Sequence, residues 1–368
     1  MNIYVLGVAL HPAVGNERTM RLEEMAYHTA RSALDHAGIS RKQLDSLTIG
    51  ACDELDGRPI SSMLMSAPAG AYNIDEIKVT DSGASALCLA YARFLSGESE
   101  LGMVVSWCKS SKTNPESVML LRGDPFYTRP LGVGTAVSDA LFAQAVGEEY
   151  GVTEQEVNER VVSAFRKAAG NERGMRHPVP DEASLVASPL DATPLRAAQR
   201  APYTDGAAAL VLATDTFLDA NPECHPLARL SGVGWASDSY RLEAKRLRAM
   251  NSARAAWQTA LSRAGLKDAD DLDVIELDSQ TGYHEAAYVR AFGIKKQDAV
   301  SPSGGPFAQN PYFCTGLVNA VEAVLQVSNQ AGAVQRDGVR RAAAHGCHGC
   351  AQQGNVVMVF EAAQRGGQ

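Results

Sequence analysis

The hexapeptide His345-Gly346-Cys347-His348-Gly349-Cys350 places four side chains able to carry protons or bind metals within six residues. Two thiols and two imidazoles could form half of a tetrahedral zinc site, although so short a turn rarely presents four ligands to one ion. The Cys347-x-x-Cys350 spacing could instead be a redox pair, but no helix follows to depress a thiol pKa. A third use is acid/base work beside a substrate carbonyl, for which thiol and imidazole both serve. A turn with a purely structural purpose is the remaining alternative.

Other segments carry chemistry in their backbone. Thr80-Asp81-Ser82-Gly83 opens an expected helix over 82–95. Asp81 suits an N-cap there, and the amides of Ser82 and Gly83 could equally hold a carbonyl oxygen or thioester. Cys88, nearly two turns in, reads as an inert core cysteine. Asn310-Pro311-Tyr312 is expected to open a second helix running to Val327, with Pro311 in its first turn and Asn310 as cap or amide donor.

These segments need a scaffold, and its period is visible. Ala33–Gly50 (ALDHAGISRKQLDSLTIG) and the stretch from Ala260 (ALSRAGLKDADDLDVIEL) share an Ala-Leu, an Ala-Gly-aliphatic stop and a Leu-Asp that opens a strand. The offset of 227 residues, growing to 228 at the strand, is too long for a solenoid and reads as two homologous halves. In the first half we expect strands at 2–9, 46–50, 77–80, 101–107 and 208–214, with helices at 22–36 and 82–95. In the second we expect a helix over 252–264, strands at 272–277, 299–302, 341–344 and 355–361, and the helix over 311–327. Such alternation implies parallel sheets covered on both faces. Residues 1–220 then form the first half, carrying an insertion over 108–200, and residues 221–368 form the second.

Composition narrows the class. The chain has 368 residues, 45% hydrophobic and 21% charged, with 32 Gly and 16 Pro, which excludes disorder, collagen and coiled coil. A net charge of −8 opposes contact with a phosphate backbone, so nucleic acid is not an expected partner. No apolar run approaches the roughly 20 residues of a membrane span, and the N-terminus reads as a strand rather than a leader. Seven cysteines without framework spacing suit a reducing compartment, and a cytoplasmic location is expected.

Two βαβαβαββ halves with a long insertion between the last two strands of the first resemble the thiolase superfamily, a five-layer α-β-α-β-α fold. Asp81-Ser-Gly-Ala-Ser-Ala-Leu87 is similar to the family's Cys-x-Ser-Gly helix start. Ser184 to Pro189, followed by Pro202-Tyr-Thr-Asp-Gly-Ala-Ala-Ala-Leu-Val-Leu212, resembles its "SP … DGAAALVL" signature, and Ser301-Pro-Ser-Gly304-Gly305 its Asn-Pro-Ser-Gly-Gly turn. The nearest type is sterol carrier protein X, including non-thiolytic members that work beside a small OB-fold partner.

The resemblance implies an acyl-CoA or related thioester as substrate, no further cofactor or metal, a role in lipid metabolism and a two-fold homodimer with strand pairing near 77–80 and 101–107. It also implies departures. The nucleophilic Cys position carries Thr80, a poor nucleophile without a base. The family's Gly-His-Pro is Gln309-Asn310-Pro311, and its His-Asp/Glu-Ala-Phe segment reads Leu277-Asp278-Ser279-Gln280. The Cys-x-Gly turn survives as Cys347-His348-Gly349. By this correspondence the expected catalytic set is Cys347, His345, His348, Asn310 and Tyr312, with Asn310 an oxyanion donor and Tyr312 a carrier of a β-hydroxyl proton. The expected substrate contacts are Thr80, Asp81, Ser82, Gly83, Asp278, Ser279, Gly304 and Gly305. Basic residues of the insertion, among them Lys109, Arg122, Lys167 and Arg173, could meet the phosphates of coenzyme A.

The expected activity is formation or cleavage of a C–C bond, by acyl transfer or a retro-aldol route, without a cysteinyl intermediate. The alternative is a non-catalytic subunit that dimerises and supports an active partner.

Overall fold

A computed structural model describes residues 1–80 and 82–363. Strand β1 (Ile3–Leu10) leads to helix α1 (Leu22–Ala37), which buries Leu22, Met25, Ala26, Thr29, Ala30, Ala33 and Leu34 at helical spacing. Glu24 reaches back to the Arg21 amide at 2.7 Å, and Gly38 closes the helix in the left-handed conformation. Strand β2 (Ser46–Ala51), the short helices α2 (Asp53–Asp56) and α3 (Ser62–Met65), strand β3 (Asp75–Thr80), helix α4 (Gly83–Ser96) and strand β4 (Leu101–Lys109) follow.

The insertion then supplies helices α5 (Pro115–Arg122), α6 (Thr135–Tyr150), α7 (Glu154–Gly170) and α8 (Glu182–Ala187), and a ribbon of β5 (Leu190–Ala192) and β6 (Leu195–Arg196). Strand β7 (Asp205–Thr214) and helix α9 (Asp215–Ala220) end the first half-motif. The second contains β8 (Ala228–Ser237), α10 (Ala244–Ala249), α11 (Asn251–Ala264), β9 (Val274–Glu276), α12 (Gly282–Ala291), α13 (Thr315–Val327), β10 (Arg341–His348) and β11 (Gly354–Ala362).

Nine strands form one sheet in the order β3-β2-β4-β7-β1-β8-β11-β10-β9. Three apolar cores lie around it. One packs α1 against the outer face of the first half, and one packs α11 and α12 against the outer face of the second. The third fills the space between the halves, where α4 and α13 lie with Leu87, Phe94, Leu317 and Val321. This is the expected five-layer α-β-α-β-α arrangement. The insertion folds over the second half, held by Arg160–Glu285 and Arg290–Glu156 ion pairs between α7 and α12.

Several expectations are corrected. The sheet is mixed: β2 is parallel to β3 and β4, and β9 to β10, but β7, β1, β8 and β11 run antiparallel to their neighbours. The β10–β11 connection is a short turn without a crossover helix, and such a turn can join only antiparallel strands. The expected strand over 299–302 reduces to a single bridge of Val300 with Ile275. The second central helix starts at Thr315 rather than Pro311, because Phe313 adopts φ 67° and interrupts any helix there. Strand β4 lies between β2 and β7 with both edges bonded, so it cannot pair across a dimer. Strand β3 ends the sheet and keeps one edge open.

The opening strand of the second half, β8, was not legible in the sequence. Its Gly232 gives the reason: a Cβ there would lie 2.2 Å from the Ala260 carbonyl oxygen, as one on Gly7 of β1 would lie 2.4 Å from that of Ala33. In each half a glycine admits the following helix onto the strand, at the expense of the apolar alternation that marks strands.

Candidate functional site

The segment His345–His348 is strand, not turn, and ends β10 beside β11, with Cys347 opposite Asn355 and His348 opposite Gly354. Alternation along the strand therefore sends His345 and Cys347 to one face and His348 to the other. Four ligands from the hexapeptide cannot converge on one ion, and among the described residues no group of three or more His, Cys, Asp or Glu is placed to hold a metal.

Cys347 lines a small cavity of about 30 Å³, enclosed from four directions. The C-terminal end of β9 contributes Asp278 and Gln280, and the approach to α13 contributes Tyr312, Phe313 and Thr315. The end of β10 and its turn supply Cys347, His348 and Gln352, while the insertion adds Met119 from α5 and Thr135, Ser138 and Asp139 from α6.

Asp278 is the closest partner of the thiol. Its Oδ2 accepts from the Cys347 amide at 3.0 Å and lies 3.4 Å from Sγ. Burial and the adjacent carboxylate push the Cys347 thiol well above its ordinary value. Burial also raises Asp278, opposed by its hydrogen bonds from Cys347 and Gln280. The thiol thus stays protonated at neutral pH and suits donation of a proton more than attack as a thiolate. Tyr288 adds a phenol that interacts with Cys347 and donates to Gln352 Oε1.

A line of amides holds Asp278. Gln280 Nε2 donates to Asp278 Oδ1 at 2.7 Å and to Asn310 Oδ1 at 3.1 Å. Asn310 Nδ2 donates to Gln280 Oε1 at 2.9 Å and to the Ala201 carbonyl at 3.3 Å, and its Oδ1 also accepts from Thr315 at 3.1 Å. Both amide hydrogens of the fully buried Asn310 are thereby engaged, so it orients Gln280 and has none left for an oxyanion.

His345 is fully buried. Its Nδ1 accepts from the Asp278 amide at 3.4 Å, which leaves Nε2–H to donate to Asn355 Oδ1 at 2.9 Å. Burial pushes it down to about 4, so it is neutral at physiological pH and stands behind the site as a prop. His348 reaches the cavity only at the strand end, and its imidazole, on the opposite face from Cys347, lies over Gly354 in a groove formed by α4 and the end of β8. Tyr312 reaches the cavity with its ring edge-on to Tyr203 at 5.2 Å, and burial holds its phenol neutral.

The expected substrate contacts divide. Asp278 is at the cavity. Thr80 is exposed at the end of β3, away from the lining, and Asp81 lies outside the described residues. Ser82 is buried and caps α4 through the Ser85 amide at 3.4 Å. The Gly83 amide donates to the Phe313 carbonyl at 2.8 Å, so that donor of the helix start is already used. Ser279 is buried outside the lining. Gly304 and Gly305 form a left-handed turn against α7, where a Cβ on Gly304 would meet the Ala168 backbone at 2.6 Å.

The basic residues of the insertion are largely engaged within the protein. Lys109 donates to the Met20 carbonyl, Lys167 to that of Val300, and Arg173 pairs with the buried Glu322 at 2.7 Å. Cys88 is buried in α4, and burial raises its thiol further.

Asp139 was missed. It is 5% exposed, sits on the first turns of α6 among Ala and Phe, and burial raises it to about 6. An acid flanked by small and apolar residues in TAVSDALFAQAV was the available signal.

No protein-family model matches the chain. The acetyl-CoA acetyltransferase of Methanothermobacter thermautotrophicus strain Delta H is 25% identical over 378 residues, covering 95% of this chain and 96% of that protein. Two crystal structures of human mitochondrial 3-ketoacyl-CoA thiolase, one of them in complex with CoA, superpose with TM-scores of 0.79 and 0.80 at 13% and 14% identity. They cover 98% and 99% of this chain, and 99% and 98% of their own. The chain has the fold of those structures, and its full-length similarity to the acetyltransferase supports a place in the thiolase superfamily.

Proposed function

We propose that the protein acts on an acyl-CoA or related thioester and makes or breaks a C–C bond without a cysteinyl intermediate, with Cys347 moving the proton at the α-carbon. The observation that carries this reading is the Cys347–Asp278 pair in the cavity wall, a thiol kept protonated 3.4 Å from a buried carboxylate. The helix start where a thiolase would hold its nucleophile has Thr80 exposed outside the cavity, and Cys88 is packed within α4. Similarity to an acetyl-CoA acetyltransferase and to a thiolase solved with CoA supports the substrate class.

The sterol carrier protein X type, with a small OB-fold partner and a cytoplasmic homodimer in lipid metabolism, is the assembly we associate with this chemistry. Open-edged β3 is the strand available for two-fold pairing. Among the described residues no helix is long and apolar enough to cross a membrane.

Intact-protein mass spectrometry after incubation with acyl-CoAs tests the reading, together with the turnover of Cys347→Ala. No acyl adduct and a turnover loss of roughly 10² to 10⁴ is the expected result. A non-catalytic subunit is favoured by one observation, the Gly83 amide donating to Phe313 rather than standing open to a ligand. Unchanged background rates for wild type and variant alike would select it.

A further inference from the structure

The cavity wall contains one peptide group that no hydrogen bond holds. Pro311 to Cys314 form a tight turn, closed by the Cys314 amide donating to the Pro311 carbonyl at 2.8 Å. Phe313 takes its third position with φ 67° while Tyr312 keeps a negative φ, which makes the turn type II. That type favours glycine at the third position, because a side chain there crowds its own backbone. A phenylalanine in this place is strained.

The groups on either side of that peptide are anchored. The Asn310 amide donates to Thr204 Oγ1 at 3.0 Å, and the Asn310 carbonyl accepts from the Thr204 amide at 2.9 Å. The Tyr312 amide donates to Ser110 Oγ at 3.3 Å, and the Phe313 carbonyl accepts from the Gly83 amide at 2.8 Å. Beyond the turn, the Cys314 carbonyl accepts from the amides of Leu317 and Val318 at 2.9 and 3.1 Å. Both rings are held too, that of Tyr312 against Tyr203 and that of Phe313 under the Arg122 guanidinium at 5.7 Å. By contrast, the Tyr312 carbonyl and the Phe313 N–H have no hydrogen-bond partner among the described residues.

A peptide so placed can turn over on its own. Types I and II differ by rotation of the central peptide through about half a turn, with the chain ends and the closing hydrogen bond kept. Here the rotation breaks no hydrogen bond and carries Phe313 from the left-handed region to a negative φ that suits it. The carbonyl and N–H of the group lie on opposite faces of the turn, so reversal exchanges acceptor for donor toward the cavity that Tyr312 and Phe313 both line.

We propose that the Tyr312–Phe313 peptide is a two-position element of the wall, and that a carbonyl compound entering the cavity selects the type I form and accepts a hydrogen bond from the Phe313 N–H. The inference rests on the proposed function for the identity of that compound, a thioester. It supplies the donor that Asn310 does not, since both hydrogens of the Asn310 amide are already bonded within the protein.

The test removes the N–H and leaves the ring. Full-length protein with 3-phenyllactate at position 313, introduced by nonsense suppression, carries an ester in place of the amide between Tyr312 and Phe313. A cavity of about 30 Å³ calls for a small acyl group, so the probes are acetyl-CoA and CoA, titrated by calorimetry. The ester variant is expected to bind CoA like wild type and to melt at the same temperature, while its affinity for acetyl-CoA falls roughly five- to tenfold. A merely structural amide would move the melting temperature or both affinities together.

A second measurement needs no variant to be active. In protein labelled with heavy nitrogen at phenylalanine, the Phe313 amide signal is the one the ester variant lacks, and acetyl-CoA should move it to a second position while CoA leaves it in place. An unmoved signal, or an ester variant with undiminished affinity for acetyl-CoA, overturns the inference. Either result beside a Cys347→Ala variant that binds acetyl-CoA without turnover would keep the proposed function. A wild type that binds neither probe, or that retains an acyl adduct, would discard the proposed function and the inference with it.

Discussion

The carboxamides of Gln280 and Asn310 lie head to head, each donating to the other's oxygen, at 3.1 and 2.9 Å. The pairing fixes which atom of each amide faces which way, and the remaining Gln280 hydrogen reaches Asp278 at 2.7 Å. A carboxylate beside the thiol is thus oriented by residues that never reach the thiol themselves. Asn310→Ala should leave the donor and acceptor of Gln280 unpaired, costing about 1–3 kcal/mol of stability. It should lower kcat more than it changes KM, read from chemical unfolding and steady-state rates on one preparation. Equal kcat per folded molecule would remove Asn310 from the positioning chain.

Cys347→Ala deletes the proton donor but fills its place with a small residue on the same strand. Its melting temperature should stay within a few degrees of wild type and its turnover should fall by roughly 10² to 10⁴. A large drop in melting temperature with unchanged turnover of the folded fraction would instead make Cys347 a structural residue.

Acyl-CoA should leave no stable adduct on the first half of the chain. Thr80 is exposed and away from the cavity, and burial in α4 raises the Cys88 thiol far from any thiolate. Peptide mapping that finds an acyl group on either residue would restore an acyl-enzyme route.

Glu276 is fully buried, accepts from Ser303 Oγ at 2.6 Å and is raised from 4.5 to about 7, chiefly by burial and then by Glu322. A carboxyl whose folded pKa is raised binds its proton more tightly folded than unfolded. Its effect therefore destabilises the fold as pH rises from the unfolded value near 4.5 through 7. Wild type and Glu276→Gln should have similar unfolding free energies at pH 5, with the variant more stable at pH 8 by a few kcal/mol. His345 and His284, lowered by burial, act in the opposite direction below about pH 6.5, which is why the variant comparison, and not the raw profile, is the measurement. No pH dependence in that difference would show that Glu276 is not the titrating group.

Strand β3 keeps an open edge with Ile77 exposed on it. Light scattering at micromolar concentration should give twice the chain mass, and Ile77→Glu should shift the chain toward monomer. A concentration-independent monomer for the unaltered sequence would end the dimer proposal.

What could be read from the sequence followed the physics of each element. The duplicated helix, Ala-Gly stop and strand were visible because caps and apolar stripes are local signals, and the five layers followed from their repetition. Strand β8 was hidden because Gly232 and Gly234 serve close helix packing and break the alternating pattern. Phe313 in a left-handed conformation shortened α13, a local strain that no periodicity announces. At the site, Cys347 and Asp278 were nameable from their motif positions. The engagement of Asn310 and His345 with their neighbours was not, since both bond to residues distant in sequence. Asp139 reaches the cavity only because the insertion folds over the second half.

The single sheet is not uniformly stitched. Strands β8 and β11 pair along nearly their full lengths, whereas β1 meets β8 only where Tyr4 faces Arg229 and Val5 faces Ala228. Mechanically that seam is a perforation between two sturdier panels. The first and last strands of the sequence, β1 and β11, flank β8, so tension applied between the chain ends is carried across it. The panels would part there before either tore internally, and what then resists is the interdigitation of α4 with α13. Torsion between the halves would reach the lumen through that packing, because the Gly83 amide at the start of α4 donates to the carbonyl of Phe313 in the cavity lining.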